Sequence, residues 1–326
     1  MNENLLNKDL GFIDIPFDEK LDIIEEIKRL CKEKNAVIMA HYYQPDEVQD
    51  IADNIGDSLA LAQMAKKTDA DIILICGVNF MGETAKILCP EKKVLVPDLK
   101  AGCSLSDSCP ADKLEDFIKK HPGYTVVSYV NTSAEVKALT DICVTSTNAK
   151  KIINNLPKDE KIIFGPDRNL GNYINSSCNR DMLLWNGACD VHEKFSLEKI
   201  IKLKEKYRDA EVLAHPECKK HVLLVADYVG STKGIIDYVN KSEKKTFIIA
   251  TESGVIHEMR KRNPEKEFIP VPPDDSSCAC NECAYMRLTT LKKIYNALKY
   301  EQPEIKVRES IRKKAEKSII RMLELS

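Results

Sequence analysis

The sequence contains no long apolar segment. Its longest apolar runs, such as Ile72–Cys76, have the length of a strand, whereas a membrane-spanning helix needs about 18 or more apolar residues. Residues 1–20 mix charged and apolar side chains and carry neither the basic start nor the apolar centre of a secretory signal. We therefore expect a soluble, cytoplasmic protein.

The sequence also lacks an excess of positive charge. Its 49 basic and 51 acidic residues give a net charge of −2, which argues against a nucleic-acid-binding surface. No glycine-rich dinucleotide fingerprint follows a first strand, so a bound nicotinamide is not expected. Small molecules are the expected partners, with neither nucleic acid nor membrane.

Twelve cysteines are present, but the chain does not have the small size of a disulfide-stabilised secreted domain. At 326 residues it is long enough to bury a large core without covalent cross-links. Without a secretory signal, the thiols are expected to be reduced. Most of them are expected to be packing groups, as at Cys31, Cys76 and Cys143, because cysteine is among the most buried residue types.

Short β-branched or apolar runs alternate with charged, helix-periodic segments, a pattern that predicts βα units and parallel sheets. The expected fold class is therefore α/β. The predicted strands cover residues 36–40, 71–76, 94–97, 124–129, 142–145, 161–164, 211–214, 247–250 and 268–271.

The loops after these strands repeat weakly along the chain. His41, Ser58 and Asn79 recur at nearly equal spacing as Tyr129, Ser146 and Asp167, and again as His215, Ser231 and Thr251. This repeat favours three similar units around a shared cleft, because the carboxyl ends of parallel strands carry the active site. We place the units at residues 1–105, 106–192 and 193–285, with C-terminal helices over residues 286–326 closing on the first unit.

One cysteine in each unit stands in a polar or glycine-bearing loop, where packing does not explain a thiol. These are Cys103, Cys189 and Cys283. Three thiolates from three units could meet at a common centre and bind metal. If they hold a 4Fe-4S cluster, which ordinarily takes four thiolates, one iron has no protein ligand and can act as a Lewis acid on substrate.

Two other interpretations of the thiols stay open. Cys278, Cys280 and Cys283 form a CxCxxC cluster that could hold structural zinc, although no second close pair of ligands accompanies it. A redox pair between Cys283 and either of the other two is the second alternative.

Proton donors, proton acceptors and one carboxylate stand at the predicted strand ends: His41, Tyr43, Tyr129, Asn131, His215 and Glu217. General acid and base catalysis requires this set of groups. Hydroxyl residues stand before predicted helices, where they would serve as N-caps or hold phosphate and carboxylate groups. They are Ser58, Ser146, Ser231 and Thr232.

These motifs resemble the quinolinate synthase family, and the resemblance runs in order from about residue 20 to the C-terminal helices. Its motifs are the HYYQ run at 41–44, GDSL at 56–59, NFMGETAKIL at 79–88, YVN at 129–131, AHPEC at 214–218 and CAYM at 283–286.

The resemblance implies condensation of iminoaspartate with dihydroxyacetone phosphate to quinolinate, with loss of phosphate and two waters, in NAD biosynthesis. It implies three α/β/α domains in a pseudo-threefold arrangement around a central cavity, and one 4Fe-4S cluster with an open iron on Cys103, Cys189 and Cys283. A functional link to an L-aspartate oxidase, which would supply iminoaspartate, is a further implication.

The resemblance also implies residue roles. Glu217 would be the base, Tyr43 and Tyr129 would assist proton transfer, and His41, Asn131 and His215 would bind substrate. Ser58, Ser146, Ser231 and Thr232 would hold carboxylates or phosphate.

Some relatives carry CxxCxxC before the last ligand, whereas this chain has CxCxxC, so Cys278 and Cys280 receive no role. Two other functions use the same features. One is a 4Fe-4S hydro-lyase acting on a hydroxy acid, and the other is a non-catalytic iron-sulfur sensor.

Overall fold

The computed structural model describes residues 5–18, 20–273 and 282–326. It confirms the α/β class, with three parallel four-stranded sheets flanked by helices. Among the described residues, no helix has both the length and the apolar character that crossing a bilayer requires.

The first sheet and its helices follow the N-terminal segment. The strands are β1 (Ala36–His41), β2 (Asn54–Gly56), β3 (Ile72–Cys76) and β4 (Lys93–Leu95). The helices are α1 (Ile23–Glu33), α2 (Asp46–Ile51), α3 (Ser58–Lys67), α4 (Asn79–Leu88) and α5 (Ser104–Asp107).

The second sheet lies in the middle third of the chain. Its strands are β5 (Thr125–Tyr129), β6 (Ile142–Val144), β7 (Ile162–Gly165) and β8 (Leu183–Leu184). The helices around it are α6 (Ala111–Lys119), α7 (Ala134–Lys137), α8 (Ala149–Asn155) and α9 (Arg168–Cys178).

The third sheet follows a short 3-10 helix, His192–Lys194. Its strands are β9 (Glu211–Ala214), β10 (Tyr228–Val229), β11 (Thr246–Ala250) and β12 (Glu267–Pro270). The helices are α10 (Leu197–Lys206), α11 (Lys220–Leu223), α12 (Thr232–Lys241) and α13 (Val255–Arg262). After a second 3-10 helix, Met286–Leu288, come α14 (Leu291–Tyr300) and α15 (Glu309–Leu325).

All three sheets have the same strand order. In each sheet, the second strand of the unit lies at one edge and pairs with the first strand. The third strand pairs with the other side of the first, and the fourth strand forms the opposite edge. The three orders are β2-β1-β3-β4, β6-β5-β7-β8 and β10-β9-β11-β12. Every neighbouring pair of strands is parallel. This shared order supports the triplication predicted from the loop spacing.

The same aspartate contact recurs in each unit. Asp53, Asp141 and Asp227 stand just before or at the second strand, and each accepts a hydrogen bond of 2.8 Å from a backbone N-H of the first strand. The backbone N-H of each aspartate donates in return to the carbonyl of that same strand residue. We call these three two-way contacts the aspartate clamps.

Apolar side chains explain where the layers pack. The central strand β3 has the sequence IILIC and is buried along its whole length, which is typical of a strand covered on both faces. One continuous core joins the first and second units, whereas the third sheet has a separate apolar cluster on each face.

The C-terminal helices close on more than the first unit. Helix α14 packs against α1, as expected, but α15 packs against α7 and β6 of the second unit as well as α4 of the first. The apolar stripe of α15, which includes Ile319 and Met322, belongs to the core shared by both units. The proposed unit boundaries themselves stay a prediction.

Candidate active site

A cavity lies where the carboxyl ends of the three sheets meet. It contains about 730 Å³ of space free of protein atoms, including its opening to solvent. All but one of the site residues predicted from the sequence line it: His41, Tyr43, Ser58, Cys103, Tyr129, Asn131, Ser146, Cys189, His215, Glu217, Thr232 and Cys283.

The three units contribute equivalent positions to this cavity. His41 and Tyr129 are the last residues of their strands, and His215 directly follows β9. Two residues further on, each unit presents a second polar side chain, which is Tyr43, Asn131 or Glu217. The triplicated fold therefore places six polar side chains around one centre.

Glu217 is the carboxylate on which these groups converge. It is 3% exposed, and its Oε1 accepts a hydrogen bond of 2.6 Å from the Tyr129 hydroxyl. Its Oε2 lies 3.2 Å from Nδ1 of His192, and Nδ1 of His215 lies 3.7 Å from Oε1. A buried carboxylate with these partners is held in one position.

Burial and hydrogen bonding set the charge states here. Burial alone would raise the pKa of Glu217, but His215, His192 and the Tyr129 hydroxyl outweigh it and lower that pKa to about 2. Burial lowers the pKa of His41 and of His215 to about 3, so both imidazoles are neutral at neutral pH. The Glu217 carboxyl is therefore ionised at neutral pH.

His192, which the sequence analysis did not identify, connects Glu217 to the first unit. Its Nε2 lies 3.0 Å from the Thr251 hydroxyl, which lies 3.0 Å from the hydroxyl of Tyr43. The Tyr43 hydroxyl is also 2.7 Å from Oγ1 of Thr232. Because a carboxylate faces Nδ1, we assign the ring proton there, so Nε2 accepts from Thr251 and a continuous hydrogen-bonded chain links Tyr43 to Glu217.

The predicted hydroxyl residues differ in their placement. Ser58 and Thr232 are the first residues of α3 and α12, and Ser146 is 3.2 Å from Nε2 of His215. Ser231 does not line the cavity, because its hydroxyl is the N-cap of α12 and accepts from the N-H of Gly234. The expectation that Ser58, Ser146 and Thr232 act as N-caps was wrong, since Asp57, Asn148 and Ser231 occupy those positions.

The three predicted ligand cysteines line the same cavity. Burial raises the pKa of the Cys103 thiol to about 12 and also raises the pKa values of Cys189 and Cys283. A bound cation would compensate the cost of ionising these partly buried thiols, so this donor set fits a metal centre. All ten cysteines in the described part of the chain are free thiols.

A single metal ion would bind to a different set of side chains from the three thiols. Across residues 5–18, 20–273 and 282–326, the group of three side chains with all ligand atoms within 4.8 Å of one another is Cys189, His192 and Glu217. The three thiols do not form such a group. The irons of a cluster take separate thiolates and so tolerate a wider spacing.

Two buried carboxylates support the cysteine loops and were not identified from the sequence. Asp167 Oδ2 accepts from the backbone N-H of Cys189 at 3.2 Å, and Glu252 Oε1 accepts from that of Cys283 at 3.1 Å. Glu252 Oε1 also pairs with Arg287 at 3.0 Å. Burial raises the pKa of Glu252 to about 7, although Arg287 opposes this.

Cys278 and Cys280 lie outside the described residues, so the structural-zinc and redox-pair interpretations of the CxCxxC cluster stay untested. Cys283 itself lines the cavity with the other two thiols.

Comparison with known proteins gives one consistent result. A family model described as quinolinate synthetase A protein matches residues 25–324. A relative named quinolinate synthase from Chloroherpeton thalassium is 56% identical over 94% of this chain and 95% of its own length. Relatives with the same name from Rippkaea orientalis and a Synechocystis species are 55% and 54% identical over 94% of this chain, covering 94% and 96% of their own lengths.

Proposed function

The chain belongs to the quinolinate synthetase A family, and we propose that it condenses iminoaspartate with dihydroxyacetone phosphate to give quinolinate. The reaction releases phosphate and two waters and supplies NAD biosynthesis. The observation that carries this proposal is the ionised carboxylate of Glu217, held among proton-transferring side chains in a cavity that three thiols also line. Family membership favours this synthase over the hydro-lyase and the sensor.

Glu217 acts as the base. Condensation requires removal of a proton from a carbon beside the triose carbonyl, and a carboxylate that is ionised at neutral pH can accept it. The Tyr129 hydroxyl donates to Glu217 and can return a proton to an oxygen of the substrate. Tyr43 exchanges protons with Glu217 through Thr251 and His192.

His41, Asn131 and His215 orient the substrate. Both histidines are neutral at neutral pH, so each offers one donor and one acceptor nitrogen. The side-chain oxygen of Asn131 is buried and has no hydrogen-bond partner among the described residues, which suits an N-H or O-H donor of the substrate.

The cavity-lining hydroxyls bind the anionic groups. Ser58 and Thr232 open α3 and α12, where backbone N-H groups and the positive end of the helix dipole favour phosphate or carboxylate. Ser146 adds a third hydroxyl beside His215. Ser231 is left out of this set because its hydroxyl caps α12.

Cys103, Cys189 and Cys283 would hold one 4Fe-4S cluster. When bound, the cluster supplies an iron without a protein ligand that acts as a Lewis acid during loss of water. The partly buried thiols of these loops, supported at two of them by Asp167 and Glu252, fit such a group. The proposal extends to a cytoplasmic location, which keeps thiols reduced, and to supply of iminoaspartate by an L-aspartate oxidase.

An anaerobic assay for quinolinate from iminoaspartate and dihydroxyacetone phosphate tests the proposal, with iron, sulfide and the visible spectrum recorded on the same preparation. We expect product and four irons per chain, with both lost in Cys189→Ala and retained in Cys178→Ala, whose thiol is buried away from the cavity. Glu217→Gln should keep the iron and lose turnover, while the exposed Glu205→Gln keeps both. Wild-type turnover in Glu217→Gln would remove its assignment as the base.

A further inference from the structure

We propose that the cluster-free chain binds one zinc ion on Cys189, His192 and Glu217, with a fourth position open to the cavity. This mononuclear site shares one cysteine with the thiol trio and leaves Cys103 and Cys283 unused. The site itself does not depend on the proposed function. Its competition with a cluster does rest on that function, since both would need Cys189.

Two of the three pairs of ligand atoms already have nearly the spacing that zinc requires. Nδ1 of His192 lies 3.2 Å from Sγ of Cys189 and 3.2 Å from Oε2 of Glu217. In a tetrahedral zinc site with bonds of about 2.0–2.3 Å, ligand atoms lie about 3.3–3.7 Å apart. The third pair, Sγ of Cys189 and a carboxylate oxygen of Glu217, lies within 4.8 Å, so these two side chains need to approach each other by about 1 Å or less to complete the site.

The chemistry of the three ligands suits zinc. Zinc binds thiolate, imidazole and carboxylate, and sites with three protein ligands keep one position for water or another molecule. A thiolate and a carboxylate together balance the two charges of the ion. His192 and Glu217 are 2% and 3% exposed, so the ion would be held largely out of water.

Each ligand is also oriented by a second side chain. Thr251 lies on the far nitrogen of His192, the Tyr129 hydroxyl donates to the other oxygen of Glu217, and Asp167 accepts from the N-H of Cys189. Such partners fix the orientation of metal ligands and raise affinity about 10–100-fold. With zinc on Nδ1, the ring proton moves to Nε2 and is donated to Thr251.

Occupation of this site would inactivate the enzyme in two ways. It removes Cys189 from the set available to a cluster, and it binds the oxygen of Glu217 that would otherwise accept a proton. Zinc-loaded protein is therefore expected to resist assembly of an iron-sulfur centre until a chelator removes the ion.

The test is an anaerobic titration of the full-length, cluster-free chain with Co²⁺, followed by displacement with Zn²⁺. Tetrahedral Co²⁺ gives visible bands, and a bound thiolate adds a charge-transfer band in the near ultraviolet. We expect one ion per chain, a band of one-thiolate intensity, and loss of both on addition of zinc.

Matched variants separate this site from the thiol trio. Cys103→Ser and Cys283→Ser should bind Co²⁺ as the parent does, although each removes a proposed cluster ligand. Cys189→Ser, His192→Gln and Glu217→Gln should weaken binding about tenfold or more, with folding verified by circular dichroism. Equal weakening in Cys103→Ser, a band of three-thiolate intensity, or unchanged binding in His192→Gln would overturn the proposal.

Discussion

At the scale of single residues, burial of neutral histidine makes stability dependent on pH. The pKa of His41 is about 3 in the folded chain and about 6.5 when unfolded, so acid protonates the unfolded state first. The contribution of His41 to stability is therefore fully present above pH 6.5 and is lost as the pH falls toward 3. Burial of one such histidine lowers the free energy of unfolding by about 2 kcal/mol when the pH falls from 7 to 5.

His41→Gln should remove that share of the acid sensitivity. The expected result is a change in the free energy of unfolding between pH 7 and pH 5 that is about 2 kcal/mol smaller than in the parent, measured by urea denaturation of cluster-free protein. His221→Gln, at an exposed position on α11, is the control. An identical pH dependence in His41→Gln and the parent would contradict the neutral, buried state of His41.

Glu252 is expected to hold the Cys283 loop in place. Its two oxygens accept from the N-H groups of Cys283 and Gly254 and pair with Arg287, all within 3.1 Å. Glu252→Gln puts an amide donor opposite one of these donors, which leaves buried groups unpaired at a cost of about 1–3 kcal/mol.

We therefore expect Glu252→Gln to bind less iron per chain and to melt at a lower temperature than the parent. Iron analysis and thermal unfolding of the same preparation measure both effects. Glu282→Gln is the matched control, because Glu282 is 3.6 Å from Arg287 and largely exposed. Full iron binding in Glu252→Gln would show that the loop holds its position without this carboxylate.

The site residues that follow predicted strands could be identified from the sequence. Glu217 and Tyr129 were found because they stand at strand ends in chemically distinctive motifs. His192 was missed because it lies in the connection between the second and third units, which has no counterpart in the loop repeat. A clear signal was still present, since His192 stands three residues after Cys189.

At the scale of secondary-structure elements, all nine predicted strands were confirmed and three were missed. The missed strands β2, β8 and β10 are two or three residues long and lie at sheet edges, where they pair on one side only. Such short strands show no periodicity in the sequence. An aspartate recurs directly before the second strand of each unit, at 53, 141 and 227. This recurrence was the sequence signal from which the missed second strands, β2 and β10, could have been predicted.

The aspartate clamps are expected to contribute to stability in each unit. Asp141→Ala removes the acceptor of the Val126 N-H, and we expect a loss of about 1 kcal/mol in the free energy of unfolding. Denaturant titration measures it, with the exposed Asp159→Ala as control. A loss no greater than that of the control would show that water replaces the carboxylate at no cost.

At the scale of the whole molecule, the sequence predicted a shared cavity but not the contacts that join the units across it. Asp57 of the first unit accepts a hydrogen bond of 2.7 Å from the Thr147 hydroxyl of the second. On the other side, His257 and Lys261 of the third unit pair with Asp50 on α2. These contacts join surfaces distant in sequence, and no local pattern indicates which loops meet.

The contact between Asp57 and Thr147 joins the loops of Ser58 and Ser146. Thr147→Val should loosen both loops and raise KM for the phosphorylated substrate several-fold, with a smaller change in kcat, because the lost hydrogen bond is to Asp57 and not to Glu217. Steady-state kinetics measure the two constants. Thr125→Val is the control, because Thr125 begins β5 and lies at the end of that strand away from the cavity. A fall in kcat with unchanged KM would assign Thr147 to the chemical step instead.

The packing of α14 on the first unit has a consequence for the order of events during synthesis. The apolar face that includes Ile38 and Leu74 is covered by Ile294 and Leu298, and Asn296 donates to the carbonyls of Ile13 and Ile15. While the ribosome is still translating the middle of the message, only α1 and α2 cover that face, and the part that α14 packs against stays exposed. The nascent chain must therefore wait for its last segment before its first third can become native, and chaperones that shield apolar surface have their longest opportunity at the N-terminal sheet.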